Sequence, residues 1–393
     1  MSSVNGRRWD REGITVVELR GTPAEIGHAH GALLREEVRR AYFDLVESRV
    51  LPGIGMEMFG DDTAKIAEFS AWCHKKALAY KDRVGARYLA EMRALAEVAG
   101  LTFEQVLLAQ VVLDVVELAG MTHSPQHFHS CTQVAFLPEL TGGKTLLARN
   151  LDWPSFGLAH ELGVLFHYIP ADGLPFWGLG WAGTIGTLTA VNHERLSVTE
   201  ESLTVSPDVS DQGMPTFLLH RSLAQFERTV QGGVDRLVRT PRTNGYHTLF
   251  ASGKENDART VLHSANHHAL RRPNHGVCWG IEPNRAADLY EGGQWPDSVI
   301  PLTDDSSDFR YRRIEQLMKE HTGDITPQDL MRWMADDIDP DTKQAGTDLH
   351  CLSNETTIQS LVADLTTGDF WVAMGQVPAP AGGYVKFNVD EKE

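Results

Sequence analysis

Cys131, Arg149 and Asp152 are the residues whose types and spacing could do covalent chemistry. Cys131 opens the run Cys131-Thr132-Gln133-Val134-Ala135-Phe136-Leu137. The chain then passes Gly142-Gly143 and returns through Thr145-Leu146-Leu147-Ala148-Arg149-Asn150-Leu151-Asp152-Trp153. Two β-rich stretches around a Gly-Gly turn predict a hairpin, which brings the start of the first strand beside the end of the second. A thiol near a guanidinium and a carboxylate at a strand end is a candidate nucleophile, because a neighbouring cation favours thiolate. The plainer alternatives are an inert structural thiol and an ordinary strand-end ion pair.

Such a hairpin needs layers to hold it. Ahead of Cys131 the pattern is mainly helical after a first strand at 14–19. Thr22-Pro23-Ala24-Glu25 reads as a capping box with Pro at the first helical position, followed by Ile26, Leu33, Leu34, Val38, Tyr42, Leu45 and Val46 at helical spacing. A second helix is predicted over 88–98, stopping at Gly100. A third begins at the Thr102-Phe103-Glu104-Gln105 box and ends near Gly120. Beyond Cys131 the period shortens to that of strands, at 132–137, 145–151, 163–168, 186–191, 196–199, 248–251 and 260–263. Helices are predicted at 215–227, 308–320 and 326–335, then a last hairpin from 356–365 and 369–374 over Thr366-Thr367-Gly368. Residues 378–383 read as a short terminal loop. Helices outside two stacked antiparallel sheets would bury both sheets' apolar faces, giving an α+β fold.

The chain has 393 residues, 42% of them hydrophobic, enough for a large core. A net charge of −17 argues against nucleic acid or an anionic membrane as partner, since phosphate binding needs clustered Lys and Arg. The N-terminus lacks the apolar run of a secretory signal, and no later stretch reads as a membrane span, so a cytoplasmic protein is expected. Cys73, Cys131, Cys278 and Cys351 are scattered without CxxC spacing, which fits a reducing compartment and gives no zinc signature. Histidines at 123, 127 and 129 or 263, 267 and 268 invite a metal reading, but neither group has a helical i, i+4 pair with an acidic partner between. Asp336-Asp337-Ile338-Asp339-Pro340-Asp341 lacks the Gly and terminal Glu of a calcium loop and reads as a solvated turn. No Gly-rich phosphate cradle follows a strand, so neither ATP nor a dinucleotide is expected. No metal or resident cofactor is expected either.

The stretch from Cys131 to Trp153 resembles the N-terminal-nucleophile hydrolases, in particular the acyl-coenzyme A:6-aminopenicillanic acid acyltransferase family, to which the choloylglycine hydrolases are related. In that pattern a Cys begins a mature chain and an Arg-Asn-x-Asp-Trp segment follows one hairpin later, here Arg149, Asn150, Asp152 and Trp153. Further segments recur in the family's order: 19–31 at the entry to the first helix, then Gly186-Thr187-Leu188-Thr189-Ala190-Val191-Asn192, Gly213-Met214-Pro215, Ala265-Asn266-His267, Ser307-Asp308-Phe309-Arg310 and Trp371-Val372-Ala373-Met374-Gly375. The resemblance implies a four-layer αββα sandwich with an N-terminal helical segment. It also implies self-cleavage between Ser130 and Cys131, dividing the chain into an N-terminal segment, 1–130, and a catalytic region, 131–393, that stay associated. Ser130 departs from the family's usual Gly before the nucleophile, whose freedom at φ suits a scissile turn.

By the same resemblance, Asp152 would hold the new α-amine or the substrate amide, and Arg149 would favour thiolate and steady Asp152. Asn192 and Asn266 would be oxyanion donors, with Asn284 competing for the second place, and Arg310 would brace the site from a helix start. Turn asparagines are also common for conformational reasons alone, and a solvated helix arginine is as good a reading of Arg310. Aromatics crowd the segment after the hairpin, and Trp153, Phe156, Phe176 and Trp177 could line an apolar acyl pocket; core packing is the commoner fate of such residues. The function implied is a cysteine amidohydrolase acting on a linear amide or thioester through an acyl-enzyme. The alternatives are an acyltransferase, with coenzyme A as acyl donor or acceptor, a silent scaffold of the same fold, or a metal hydrolase. Oligomeric state, including a homo-oligomer, stays open.

Overall fold

The change of period at Cys131 has a structural counterpart. In the computed structural model, which describes residues 4–119, 130–202, 208–281 and 305–391, the strands form two sheets with helices on both outer faces. One sheet has nine strands in the order Gly6–Arg11 (β1), Ile14–Gly21 (β2), Gly163–Pro170 (β5), Phe176–Trp181 (β6), Thr189–Asn192 (β7), Leu196–Ser202 (β8), Tyr246–Ser252 (β9), Asp257–His263 (β10) and His268–Arg271 (β11). The other has six, Val277–Trp279 (β12), Ser130–Phe136 (β3), Leu146–Asp152 (β4), Thr357–Asp364 (β13), Asp369–Met374 (β14) and Val385–Asn388 (β15). Neighbouring strands run antiparallel, except that β2 lies parallel to β5.

Side-chain alternation assigns the layers. Ala135, Leu147, Leu361 and Val372 of the smaller sheet meet Leu165, Trp177, Leu179 and Leu249 of the larger one between the sheets. Val134, Phe136, Leu146 and Ala148 point the other way, onto Ile314 of Asp305–Glu320 (α10) and Leu330, Trp333 and Met334 of Pro327–Met334 (α11). On the far side, Phe166, Tyr168, Phe176 and Val198 are covered by Pro23–Leu33 (α1), Ala86–Ala99 (α5), Phe103–Leu118 (α6), Thr216–Phe226 (α8) and Val230–Arg239 (α9). The expected four-layer αββα order is therefore present in the packing itself.

Several elements differ from the sequence reading. Gly6–Arg11 is a strand, because Glu12 and Gly13 both take positive φ and turn the chain into β2. The N-terminal region thus enters the nine-stranded sheet before it becomes helical. The helical run over 26–46 is interrupted at Leu34 (φ −127°), then continues as Arg35–Arg40 (α2), a π-helix Ala41–Val50 and Leu51–Phe59 (α3). Thr63–Ala77 (α4), α9, β6, β11, β12 and β15 were not predicted. Between β3 and β4 the chain forms a short helix, Pro138–Thr141 (α7), so Gly142 and Gly143 serve as its left-handed exit instead of a two-residue turn. The third helix, expected to end near Gly120, ends at Leu118 with Ala119 as its C-cap.

Both predicted capping boxes, Thr22 with Glu25 and Thr102 with Gln105, are formed. On α6, Gln110 donates to the carbonyls of Val106 and Gly183 and accepts from the Ile185 N–H, fixing this helix to the connection between β6 and β7. The contact of α1 with α5 is close enough to require glycine: a Cβ on Gly27 would lie 2.1 Å from the Glu91 carbonyl oxygen. Gly27→Ala is expected to lower stability by about 2 kcal/mol as the helices separate, read as a reduced urea midpoint. An unchanged midpoint would show that the two helices can part without cost.

Candidate active site

Period two along a strand decides what Cys131 can meet. Cys131, Gln133 and Ala135 share one face of β3, and Gln133 crosses to the larger sheet by donating to the His247 carbonyl at 2.9 Å. In the β3–β4 register Cys131 lies opposite Leu151, and Gln133 opposite Arg149. Arg149 is therefore the diagonal neighbour of Cys131 on the same face, within reach of a long side chain. Its Nη2 stands 3.5 Å from Cys131 Sγ.

The carboxylate partner of Arg149 is Glu200, which the sequence reading did not single out. Arg149 Nε and Nη2 donate to the Glu200 carbonyl at 3.0 and 2.7 Å, and Nη2 lies 3.3 Å from Glu200 Oε2. Nη1 donates to Thr189 Oγ1. Asp152 sits three residues from Arg149 on the same strand, hence on the opposite face. It accepts from Thr357 Oγ1 at 2.6 Å and Asn354 Nδ2 at 3.1 Å. The expectation that Arg149 would steady Asp152 directly is corrected by this parity. A signal for Glu200 was available: Leu196 and Val198 alternate with Ser197 and Thr199, so the apolar face continues to position 200.

Burial dominates the electrostatics. Cys131 is 4% exposed, inside the large core and not at an open strand end. Desolvation pushes its thiol up to about 12; Arg149 pulls it down, while Glu200 and Asp152 add to the rise. The sulfur is therefore held as a thiol, against the expected thiolate. Burial likewise raises Asp152 to about 6 and Glu200 to about 7. Among the charges that oppose the shift at Asp152, Arg310 acts most strongly and Arg149 less.

Arg310 is fully buried on α10 and not solvated. Its Nε donates to Thr132 Oγ1 at 3.1 Å, and its Nη2 to the Cys131 carbonyl at 3.4 Å and Ser307 Oγ at 3.1 Å. It thus grips the backbone of β3 from the helix side while Arg149 approaches Sγ from the sheet side.

An apolar slot opens onto this group. It is lined by Cys131, Asp152, Glu200, Trp153, Trp181, Phe217 and Tyr246, by Val38, Tyr42, Leu45, Val46 and Val50 around the π-helix, and by α6 from Gln105 to Leu113. That stretch of α6 is about 12 Å long at a helical rise of about 1.5 Å per residue. The open volume is small, about 100 Å³. Of the four aromatics expected to line an acyl pocket, only Trp153 does so. Phe156 packs on Gly53 and offers its carbonyl to Arg49; Phe176 stacks on Tyr168 under the helices; Trp177 lies between the sheets against His167. The sequence reading did not place the residues of the π-helix or of α6 in a slot wall.

Neither asparagine is at Cys131. Asn192 ends β7 three residues beyond Thr189, roughly 10 Å along the strand. Its amide donates to the carbonyls of Ala224 and Glu227 and accepts from the N–H groups of Glu194 and Leu196, which holds the turn and leaves nothing for a substrate oxyanion. Asn266 is exposed and bonded to Asp208. Asn284, His123, His127 and His129 lie outside the described residues, as does the Ser130 side chain. His263 is buried on Thr248, while His267 pairs with Asp208, so these two serve separate contacts. Among the described residues, Asp339, Asp348 and His350 have metal-like spacing, but Asp339 already accepts from the N–H groups of Asp341 and Thr342 and contacts His350. No described helix is long and apolar enough to cross a membrane.

No family model matches the chain. It is 24% identical over 281 residues to protein dcd1B of Dictyostelium discoideum, covering 65% of this chain and 52% of that protein, and 23% identical over 284 residues to protein dcd1A of the same organism, covering 64% and 58%. The chain thus spans about half the length of the curated relatives it matches. Among solved structures it resembles a Caenorhabditis elegans ortholog of N-acylethanolamine-hydrolyzing acid amidase, with 15% identity, TM-score 0.41, and coverage of 60% of this chain and 93% of that one. It also resembles penicillin V acylase from Agrobacterium tumefaciens, with 13% identity, TM-score 0.41 and coverage of 66% and 86%. A variant of conjugated bile acid hydrolase from Clostridium perfringens gives 10%, 0.40, 66% and 93%. The four-layer order rests on the chain's own strand pairing and core contacts.

The raised carboxyls predict a pH dependence. Asp152 and Glu200 hold protons in the folded state that the unfolded chain, with ordinary values near 4, releases first. Stability from this source is therefore full below about pH 4 and falls as pH rises through about 6 to 7. The urea midpoint is expected to drop over that window, and Glu200→Gln to remove part of the drop; a parallel profile in the variant would contradict the assignment.

Proposed function

We propose that this chain is a cysteine amide hydrolase of the N-terminal-nucleophile kind, with Cys131 as nucleophile. The observation that carries the reading is the Cys131 thiol beside Arg149 in the wall of an apolar slot. In the maturation step, Sγ attacks the Ser130 carbonyl, the C–N bond to Cys131 breaks, and the acyl group moves to sulfur as a thioester. Water hydrolyses that thioester, leaving a carboxylate on Ser130 and a free α-amine on Cys131. An α-amine with an unperturbed pKa near 8 can take the thiol proton, so one residue supplies nucleophile and base.

In turnover, Sγ attacks the substrate carbonyl, the leaving amine departs with a proton from the Cys131 ammonium, and water releases the acid from the acyl-enzyme. Arg149 is the cation nearest sulfur and can stabilise charge that develops there. Asp152 can accept from the new ammonium. Arg310 holds the Cys131 carbonyl and so orients the strand end. The slot is long for its small volume, which suits an extended acyl chain better than a bulky ring system. Transfer of the acyl group to an amine, with coenzyme A as donor or acceptor, is the alternative outcome of the same acyl-enzyme.

Intact mass tests maturation: two fragments divided between Ser130 and Cys131 are expected, and a single chain for Cys131→Ala. The same variant should lose at least about a thousandfold in amide turnover, and an acyl probe should add mass to the fragment that begins at Cys131. An uncut, fully active protein would refute the reading, and free acid or acylated amine among the products separates hydrolysis from transfer. For the slot, Ala109→Phe on α6 should reduce kcat/KM at least about tenfold for long acyl chains and spare short ones. Equal losses for both lengths would place the chain elsewhere.

A further inference from the structure

A second cleft lies on the outer helical face, where the start of α5 meets α8 and α9. Arg83, Arg87 and Arg236 line it, together with Gly85, Tyr88 and Phe226, and its open volume is about 590 Å³. No Asp or Glu is among its lining residues. Arg87 is paired with Asp172 at 2.7 Å and Arg236 with Glu227, neither carboxylate being among the lining residues. The exposed Arg83 has an amide partner, Gln212.

Three further features of the cleft point to an anion. Gly85, the N-cap of the 14-residue helix α5, brings no side chain to cap it, and the first turn carries Arg87 and no acidic residue. A helix start so arranged presents unshared N–H groups and partial positive charge. Tyr88, in that same turn, is 3% exposed, and its hydroxyl has no hydrogen-bond partner among the described residues. An orphaned buried hydroxyl is unfavourable unless a ligand completes it. Burial raises the phenol to about 12, so at neutral pH it is a donor. The guanidiniums of Arg87 and Arg236 lie over the Phe226 ring, 4.5 and 5.3 Å from its centroid, which holds both cations at the cleft.

The geometry points to a binding site for a soluble phosphate monoester, its phosphate held by Arg83, the α5 N-terminus and the Tyr88 hydroxyl, and its organic body lying along the cleft beside Met214 and Pro241. The fork of each guanidinium matches phosphate oxygens, and the volume exceeds what inorganic phosphate alone would fill. This site is independent of the chemistry at Cys131.

Calorimetric titration of the full chain with phenyl phosphate tests it. One molecule per chain should bind, more tightly than inorganic phosphate, and Arg83→Gln should weaken binding at least about tenfold. Tyr88→Phe should weaken it several-fold. Arg83 is exposed, so its variant should keep the wild-type unfolding midpoint and amide turnover. The proposal is overturned by the absence of saturable heat up to millimolar ligand, or by wild-type affinity in both variants. Capture by phosphatidate vesicles without phenyl phosphate binding would equally overturn it, assigning the cleft to a lipid surface.

Discussion

The buried guanidinium of Arg149 is the contact on which the candidate site depends. It rises from β4 of the six-stranded sheet and spends its donors on β7 and β8 of the nine-stranded one. An arginine without acceptors at that depth would cost several kcal/mol, so the sheets are held where Thr189 and Glu200 can meet it. Cys131 owes its surroundings to that same alignment. The nitrogen that touches sulfur also touches the Glu200 carboxylate, which couples the protonation of one to the charge of the other.

Arg149 has two counterparts, and together they are the largest fully buried side chains described. Arg221 on α8 pairs with Glu91 of α5 at 2.6 Å and donates to the Ile185 carbonyl at 2.7 Å, joining the outer helices to the loop beneath them. Arg310 on α10 grips β3 from the other side through Thr132 and the Cys131 carbonyl. Each joint between layers therefore contains a guanidinium whose donors meet carbonyls or hydroxyls as well as, or in place of, a carboxylate. Such acceptors satisfy the fork without a second desolvated ion, which keeps the penalty of burial down. Arg310 has no hydrogen-bonded carboxylate, and its long-range attraction falls on Asp152, which is why that carboxyl answers to a residue on another element more than to its own strand neighbour.

Local signals carried the sequence reading a long way, and parity marked its limit. Both helix starts at Thr22 and Thr102, the strands flanking Cys131 and the last hairpin were legible because each has capping or alternation within a few residues. The strand Gly6–Arg11 was not, since its polar edge carries no alternating apolar run. Arg149 and Asp152 stand on opposite faces of one strand, a parity the hairpin reading did not use, and the turn asparagines hold local structure, Asn192 on the Ala224 and Glu227 carbonyls and Asn266 on Asp208. Glu200 was missed because the predicted strand stopped at Thr199, one residue short of it, although the alternation of Leu196 and Val198 places position 200 inside. The slot was illegible in principle, because its walls come from the π-helix, α6 and strand ends brought together only by tertiary packing.

That distribution of walls bears on what a cut before Cys131 could release. The N-terminal region adds β1 and β2 to the larger sheet, with β2 hydrogen-bonded along its length to β5. Its helices share one core with Phe166, Val198, Leu218 and Leu223 from the other side of Cys131. Val38, Tyr42, Leu45 and Val46 form slot walls opposite residues such as Trp181 and Phe217. Separating the two segments would expose a sheet edge and a large apolar area at about 25 cal/mol per Å². A broken peptide bond would relieve none of these contacts, so the segments form a single folding unit, and the slot exists only where they stay packed together.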